Sequence, residues 1–153
     1  MLQRIIPLGA ALLGLGPAGS AAAQGPWRYQ YAAKIVCGTP DSSGASVVSQ
    51  RYATAINVHN PSDSLQVELL KQLALTFPPG RQGGGKVIQV ALDTLRPEQA
   101  LVVACRDFVR TAGTSFEGFV VLLSALSLDV TAVYTVRGGI DVVEVRERVR
   151  EAR

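Results

Sequence analysis

The chain has 153 residues, of which 48% are hydrophobic, and its 15 lysine and arginine residues against 12 acidic residues give a formal net charge of +3. This length predicts a single domain of ordinary size that can bury a core. The charge surplus is too small to indicate nucleic-acid binding, for which a strongly basic surface is typical.

Residues 1–23 have the pattern of a secretory signal peptide. Arg4 and the terminal amine supply a positive start, residues 5–16 are largely apolar, and small residues lead up to Gln24. An apolar core of about 7–15 residues before an A-x-A site is typical of such leaders, so we expect cleavage after Ala23. The alternative, an uncleaved anchor, would need about 20 apolar residues to cross a bilayer. We therefore expect a secreted or periplasmic protein with no membrane span after cleavage.

The two cysteines of the chain, Cys37 and Cys105, are expected to form a disulfide. In an oxidising compartment an even number of cysteines favours a bond between them. Neither cysteine has a second cysteine or a histidine at ligand spacing, so a zinc site is not expected. Two free, buried thiols are the remaining alternative.

The rest of the chain alternates apolar and polar residues with a period of two, which predicts strands with one buried face. In residues 65–77, Leu69 and Leu73 share one face, with an interruption at Lys71. In residues 128–136, Val130 and Ala132 alternate with Asp129 and Thr131. The predicted strands, in chain order, are 28–37, 50–58, 65–77, 86–95, 100–105, 119–126, 128–136 and 140–146. Because turn residues separate them, we expect an all-β fold, one immunoglobulin-like β-sandwich of about seven or eight antiparallel strands. This domain would span residues 24–146, followed by a charged tail at 147–153.

Some stretches allow a second interpretation. ELLKQLAL, residues 68–75, and CRDFVRTAG, residues 105–113, are helix candidates, and periodicity over so short a run does not decide the matter for the first. FVVLLSAL, residues 119–126, is apolar on both faces, which predicts a central, fully covered strand. The longer run 119–136 approaches the length of a membrane-spanning helix. Asp129 would be costly in lipid, however, and the alternation favours a strand.

Residues 80–86 nearly match a phosphate-binding loop. Gly80, Gly85 and Lys86 fit the pattern G-x-x-x-x-G-K, but Val87 stands where a magnesium-binding serine or threonine is required. The residues that follow alternate like a strand, whereas a phosphate loop leads into a helix whose N-terminus faces the phosphate. We therefore expect a loop between two strands and no bound cofactor.

The single histidine and the acidic residues form no recognisable site. His59 lies where a strand runs into an Asn-Pro-Ser-Asp turn, and no partner for general-base catalysis can be identified. The acidic residues are scattered, so a carboxylate pair or a calcium site in the loop 39–44 stays open without support. They include Asp41, Asp63, Glu68, Asp93, Glu98, Asp107, Glu117, Asp129 and Asp141. We expect no catalytic residue and no metal ligand among them.

The C-terminal sequence EVRERVREAR, residues 144–153, mixes four arginines with three glutamates. The acidic residues cancel most of the positive field. The pattern therefore favours a solvated tail, or a short helix with ion pairs at i,i+3 and i,i+4 spacing, over a basic arm for an anionic surface.

The run YATAINVHNPSDSLQVELLKQLALTFPPG, followed by LRPEQALVVAC and GFVVLLSALSLDVTAVY, resembles small secreted bacterial proteins with an immunoglobulin-like β-sandwich and no assigned activity. The resemblance covers about residues 28–146. It implies a sandwich fold and supplies no catalytic residue. The single tryptophan, Trp27, precedes the first predicted strand, so the disulfide packed on a core tryptophan of antibody domains is not expected.

Three classes of function are compatible with this sequence. We expect a non-enzymatic module of the cell envelope for binding, adhesion or structure. It would act through the loops 38–48 and 78–86, or through an edge strand that pairs with another envelope or extracellular protein or with itself. The alternatives are a small secreted hydrolase with a carboxylate pair, and a carrier with an internal apolar cavity.

Overall fold

The computed structural model describes residues 27–39, 50–77 and 87–150. Outside these residues lie the expected signal peptide, the near-match to a phosphate loop, most of the expected binding loop 38–48 and all of the expected binding loop 78–86. The strands are β1 Tyr29–Cys37, β2 Tyr52–His59, β3 Val67–Leu75, β4 Val87–Leu95, β5 Ala100–Ala104, β6 Phe116–Ser124, β7 Asp129–Val136, β8 Gly139–Glu144 and β9 Glu147–Val149. Between β5 and β6 lie a 3-10 helix, Cys105–Phe108, and the short helix α1, Val109–Ala112.

The strands form two antiparallel sheets, which confirms the predicted all-β sandwich. The five-stranded sheet has the order β4-β3-β6-β1-β9, and the four-stranded sheet has the order β5-β2-β7-β8. Every strand pairing in the described residues is antiparallel. Nine strands are present in the described residues, where about seven or eight were expected. The immunoglobulin-like connectivity stays a prediction.

The core lies between the inward faces of the two sheets. Alternation places most of the buried side chains on the inward faces, because successive residues of a strand point to opposite sides. Leu70 and Leu123, which pair with each other on the outward face of the five-stranded sheet, are buried as well. The largest fully buried side chains include Tyr31, Ile35, Ile56, Leu69, Leu73, Leu95, Val103, Phe108, Val120 and Leu122. β7 follows the predicted pattern closely: Val130 and Ala132 are buried, and Asp129 is exposed. The alternation of β3 and β7 thus predicted their buried faces correctly.

Strand β6 is central, but the prediction that it is covered on both faces was wrong. It lies between β3 and β1 in the five-stranded sheet, and its inward residues Val120 and Leu122 are fully buried. On the outward face, however, Phe119 is 41% exposed. Leu123 on the same face is buried, so the apolar run reflects one buried face and one half-covered face.

The helix candidates are resolved in opposite ways. Residues 67–75 form strand β3, with Leu69 and Leu73 fully buried against the opposite sheet. Residues 105–112 form the 3-10 helix and α1, which place Phe108 in the core beside Phe116 at an edge-to-face angle. Short apolar runs are ambiguous until tertiary packing selects the periodicity that buries them. No helix in the described residues is long and apolar enough to cross a membrane.

Cys37 and Cys105 link the two sheets. The Sγ atoms are 2.02 Å apart and the Cα atoms 5.7 Å apart, so the expected pair lies at disulfide distance. Cys37 ends β1 of one sheet, and Cys105 follows β5 of the other. The bond therefore ties the sheets together at one end of the sandwich.

The C-terminal segment departs from the tail or short helix that its charge pattern favours. Residues 147–149 form β9, which pairs with β1 between Tyr29 and Tyr31. All three β9 side chains are exposed, so no apolar alternation marked this strand in the sequence. Backbone pairing with the open side of β1 accounts for it.

Candidate functional site

His59 has two carboxylate partners that the sequence did not identify. Its Nδ1 lies 3.0 Å from Oδ2 of Asp129, which faces it in the β2–β7 register. Its Nε2 lies 3.3 Å from Oε2 of Glu98 in the turn before β5. Glu98 adopts a positive φ of 55°, a conformation that few residues other than glycine adopt. The cluster thus joins β2, β7 and the turn leading to β5.

The electrostatics of this cluster favour a charged imidazole. The hydrogen bond with Asp129 raises the pKa of His59 above 6.5, desolvation opposes the shift, and Glu98 adds to it. The two carboxylates lie on opposite ring nitrogens, so both cannot bind one metal ion together with the ring. Indeed, among the described residues no group of three or more His, Cys, Asp or Glu side chains could hold a metal ion. The arrangement is suited to an exposed ion-pair clamp.

A polar cleft of about 430 Å³ lies where the chain passes from β8 of one sheet to β9 of the other. It is lined by Tyr31, Ser127, Leu128, Asp129, Val130, Thr131, Glu144, Val145 and Glu147. The fold thus gathers three carboxylates, those of Asp129, Glu144 and Glu147, at one cleft. Sequence spacing could not select this set because the residues come from separate elements.

The hydroxyl of Tyr31 organises the floor of the cleft. It accepts a hydrogen bond from the backbone N–H of Leu128 at 2.7 Å and donates one to Oε2 of Glu147 at 2.7 Å. Ser127 donates a further hydrogen bond to the same carboxylate. Burial, followed by the bond to Glu147, raises the pKa of Tyr31 to about 12. The phenol therefore keeps its proton at neutral pH and acts there as a donor.

Glu144 contributes a free negative charge at the rim of the cleft. It is exposed at the end of β8, and it makes no hydrogen bond or ion pair with any other described residue. Asp129, by comparison, is engaged by His59, and Glu147 by Tyr31 and Ser127. Glu144 is the carboxylate of this set whose charge is available to a binding partner.

Strand β8 forms a free edge of the four-stranded sheet. Its only neighbour among the described strands is β7, and all six of its residues are exposed. Three are large aliphatic residues: Ile140 is 72% exposed, Val142 60% and Val143 43%. The strand follows a tight turn in which Gly138 has a φ of 86°, a backbone conformation that glycine adopts without steric cost. A row of aliphatic side chains therefore borders an unpaired strand edge.

The hydrogen-bond alternation shows which residues present the free backbone groups. The N–H of Val145 donates to the carbonyl of Val130 at 2.9 Å, which fixes the phase of pairing along the hairpin. In an antiparallel pair every second residue bonds to the neighbouring strand. Counting back by two from Val145 along the register, the backbone N–H and C=O groups of Val143 and Asp141 form hydrogen bonds with β7. Ile140, Val142 and Glu144 direct their N–H and C=O groups toward the free edge.

The other edge of comparable length, β4, carries features that oppose pairing with a further strand. Its register with β3 shifts between Lys71 and Gln72, which marks a β-bulge. Asp93 lies opposite the buried Leu69, so it points inward, where Lys71 Nζ is 2.6 Å from its Oδ2. Bulges and inward-pointing charges are devices by which proteins protect edge strands.

The two remaining edges of the described sheets are short. β5 has five residues, bounded by the turn before Ala100 and the 3-10 helix at Cys105. β9 has three residues. β8, in contrast, has six residues in unbroken register with β7, without lysine, proline or a bulge. Its charged residues are Asp141, which lies on the inward face opposite Tyr134, and Glu144, and it is the longest edge of the described sheets without a bulge.

A smaller, mainly apolar pocket of about 280 Å³ lies at the start of β1 and β3. It is lined by Trp27, Leu65, Gln66, Val67, Glu68, Ala125 and Leu126. Leu65 is 56% exposed, so the pocket lies at the surface. A small-molecule carrier would require an internal apolar cavity, and this pocket lies at the surface.

Searches found no protein-family model, no curated protein and no solved structure that matches this chain.

Proposed function

We propose that the protein is an exported, non-enzymatic binding module that captures an extended segment of another protein at the free edge of β8. Export is supported by the leader pattern of residues 1–23 and by the cysteine pair at disulfide distance, which suits an oxidising compartment. The proposal keeps the binding class expected from the sequence and assigns it to one edge strand.

The observation that carries the proposal is the combination of a regular, exposed strand with free backbone groups. A peptide that adds to a sheet edge gains affinity from main-chain hydrogen bonds and specificity from alternate side chains. On β8 the free groups belong to Ile140, Val142 and Glu144, and the first two also expose large apolar surfaces. An apolar edge left open would be an aggregation hazard, so an edge of this kind favours a natural partner.

A proline substitution tests this edge without breaking the hairpin. Val142→Pro removes an N–H that points to the free edge, so the β7–β8 hydrogen bonds are retained. Val102→Pro is the matched control on the β5 edge. The N–H of Asn60 donates to the carbonyl of Gln99, which fixes the alternation of hydrogen-bonded pairs between β2 and β5. By this alternation the backbone N–H of Val102 also points away from β2, toward the open edge.

The probe is a phage-displayed library of short random peptides selected on the wild-type protein. Selected peptides should bind Val142→Pro about tenfold or more weakly, because one lost main-chain bond and a steric clash together exceed about 1.4 kcal/mol. They should bind Val102→Pro as they bind the wild type. If proline disturbs the fold by circular dichroism, Val142→Lys replaces it as a charged block. Equal binding to the β8 variants, or no selected peptide, overturns the proposal.

The cleft favours one alternative, hydrolysis by a carboxylate pair. Asp129, Glu144 and Glu147 line the same cleft, as the hydrolase hypothesis requires. A panel of glycans incubated with the wild type and with Glu144→Gln tests it. Product formed by the wild type and lost in the variant would favour hydrolysis over binding.

A further inference from the structure

We infer that the segment bound at β8 carries a lysine or arginine opposite Glu144, followed at alternate positions by two apolar residues. This inference rests on the proposed docking at β8 and specifies the chemistry of the partner. In the direction of the partner chain, the motif is basic-x-apolar-x-apolar.

The direction follows from the sheet. All strand pairings of the described residues are antiparallel, and an added strand that continues this pattern runs opposite to β8. Its N-terminal end then lies beside Glu144 and its C-terminal end beside Gly139. The basic residue therefore comes first in the motif.

The spacing follows from the faces of the sheet. The inward residue Ala132 pairs with Val143, so Ile140, Val142 and Glu144 share the outward face of the sheet. Directly opposed residues of neighbouring strands lie on the same face and contact each other. Partner residues opposite Ile140 and Val142 would cover side chains that are 72% and 60% exposed. Apolar residues at these two places remove the most apolar surface from water.

The charge follows from the acidic cleft. Glu144 has no ion-pair partner among the described residues, and it lies at the rim of the cleft that also contains Asp129 and Glu147. A lysine or arginine opposite Glu144 would form an ion pair with it across the strands. A glutamate at the same place would directly oppose the carboxylate of Glu144.

A second copy of β8 fits this edge poorly. Antiparallel self-pairing that keeps the faces of the sheets matched sets residues 140, 142 and 144 against one another. In every such register of two β8 strands, Glu144 of one copy lies opposite Ile140, Val142 or Glu144 of the other copy. Each of these leaves the carboxylate without a cation, and the last opposes like charges.

Three blocked peptides test the inference. Each has an acetylated N-terminus, an amidated C-terminus and the same valine–threonine alternation, and they differ in having lysine, glutamine or glutamate at the first motif position. Binding to isotope-labelled protein is followed by NMR titration at low salt. We expect each step from lysine to glutamine to glutamate to weaken binding about two- to fivefold, the range of exposed ion pairs. Added salt should reduce the differences.

The variants separate the inference from the proposed function. Glu144→Gln should abolish most of the preference for lysine, whereas Glu68→Gln, on the exposed face of β3, should leave it unchanged. If Val142→Pro abolishes binding but the three peptides bind the wild type equally well, the predicted basic residue is overturned. The docking edge at β8 is then retained. Binding that Val142→Pro does not weaken overturns both. If the wild type sediments as a dimer and Val142→Pro sediments as a monomer, the partner at β8 is a second copy of this chain and the inferred peptide motif is overturned.

Discussion

Replacing Tyr31 with phenylalanine should destabilise the protein because it removes a buried hydroxyl and keeps the ring. Tyr31 is 1% exposed, and its hydroxyl accepts from the N–H of Leu128 and donates to Glu147, both at 2.7 Å. In the variant, the buried N–H of Leu128 loses its acceptor, which costs about 1–3 kcal/mol. Glu147 contributes less to this loss, because an exposed carboxylate can be solvated again. We expect the free energy of unfolding to fall by about 1–3 kcal/mol at neutral pH.

The same substitution should change how stability depends on alkaline pH. The pKa of Tyr31 is raised from 10.0 to about 12, mainly by burial and then by the hydrogen bond to Glu147. Between these values the unfolded phenol loses its proton and the folded phenol keeps it, so the free energy of unfolding falls as pH rises. Near pH 12, this loss in the free energy of unfolding reaches about 2–3 kcal/mol. Phenylalanine cannot ionise, so the difference in the free energy of unfolding between wild type and variant should become smaller above pH 10.

Urea unfolding followed by circular dichroism measures both effects. Tyr134→Phe is the control at neutral pH, because the Tyr134 hydroxyl donates to the carbonyl of Lys34 at 3.1 Å and Tyr134 does not line the cleft. This control should lose only about 0.5–1.5 kcal/mol at neutral pH. Equal stability of Tyr31→Phe and wild type, or an alkaline decline of the same size in both, would refute the role assigned to the Tyr31 hydroxyl.

Three further predictions concern other parts of the fold. Replacing Cys37 and Cys105 together with alanine opens a link between residues 68 positions apart and should lower the free energy of unfolding by about 4 kcal/mol, read from urea midpoints. An unchanged midpoint would count against the bond. Asn60→Ala removes a buried amide that donates to the carbonyls of Leu65 and Arg96, at 2.8 and 3.0 Å, and should cost about 1–3 kcal/mol; a loss below about 0.5 kcal/mol would contradict this. NMR titration should place the pKa of His59 above 6.5, and Asp129→Asn should lower it. Because the folded pKa is raised, the stabilisation by His59 is complete below pH 6.5 and is lost as pH rises through the folded pKa; an unshifted titration would disprove the clamp.

The strands were predictable from sequence because most of them bury one face. β3 and β7 show this directly, since alternation marked Leu69, Leu73, Val130 and Ala132 as inward residues. β9 left no such signal: its residues are all exposed, and it exists because the open side of β1 offers backbone partners. A periodic pattern indicates which apolar side chains are buried, and it gives no signal for an exposed strand that is held by hydrogen bonds.

The candidate site depends on contacts between distant parts of the chain. His59 and Asp129 are 70 positions apart and meet only through the β2–β7 register. The cleft likewise joins Tyr31 to Glu147, 116 positions away. Residues 140–146 were expected to form a strand, but its place at the edge of a sheet depends on the strand order of the whole fold. Local sequence does not encode that order.

Amide hydrogen exchange along β8 tests the central claim most directly. In the free protein, the amides of Ile140, Val142 and Glu144 should exchange quickly, and those of Asp141 and Val143 should be protected by β7. Binding of the lysine-containing peptide should protect the first three and leave the other two unchanged. Protection of Ile140, Val142 and Glu144 in the free monomer, or their continued rapid exchange in the complex, would contradict a strand-binding edge at β8.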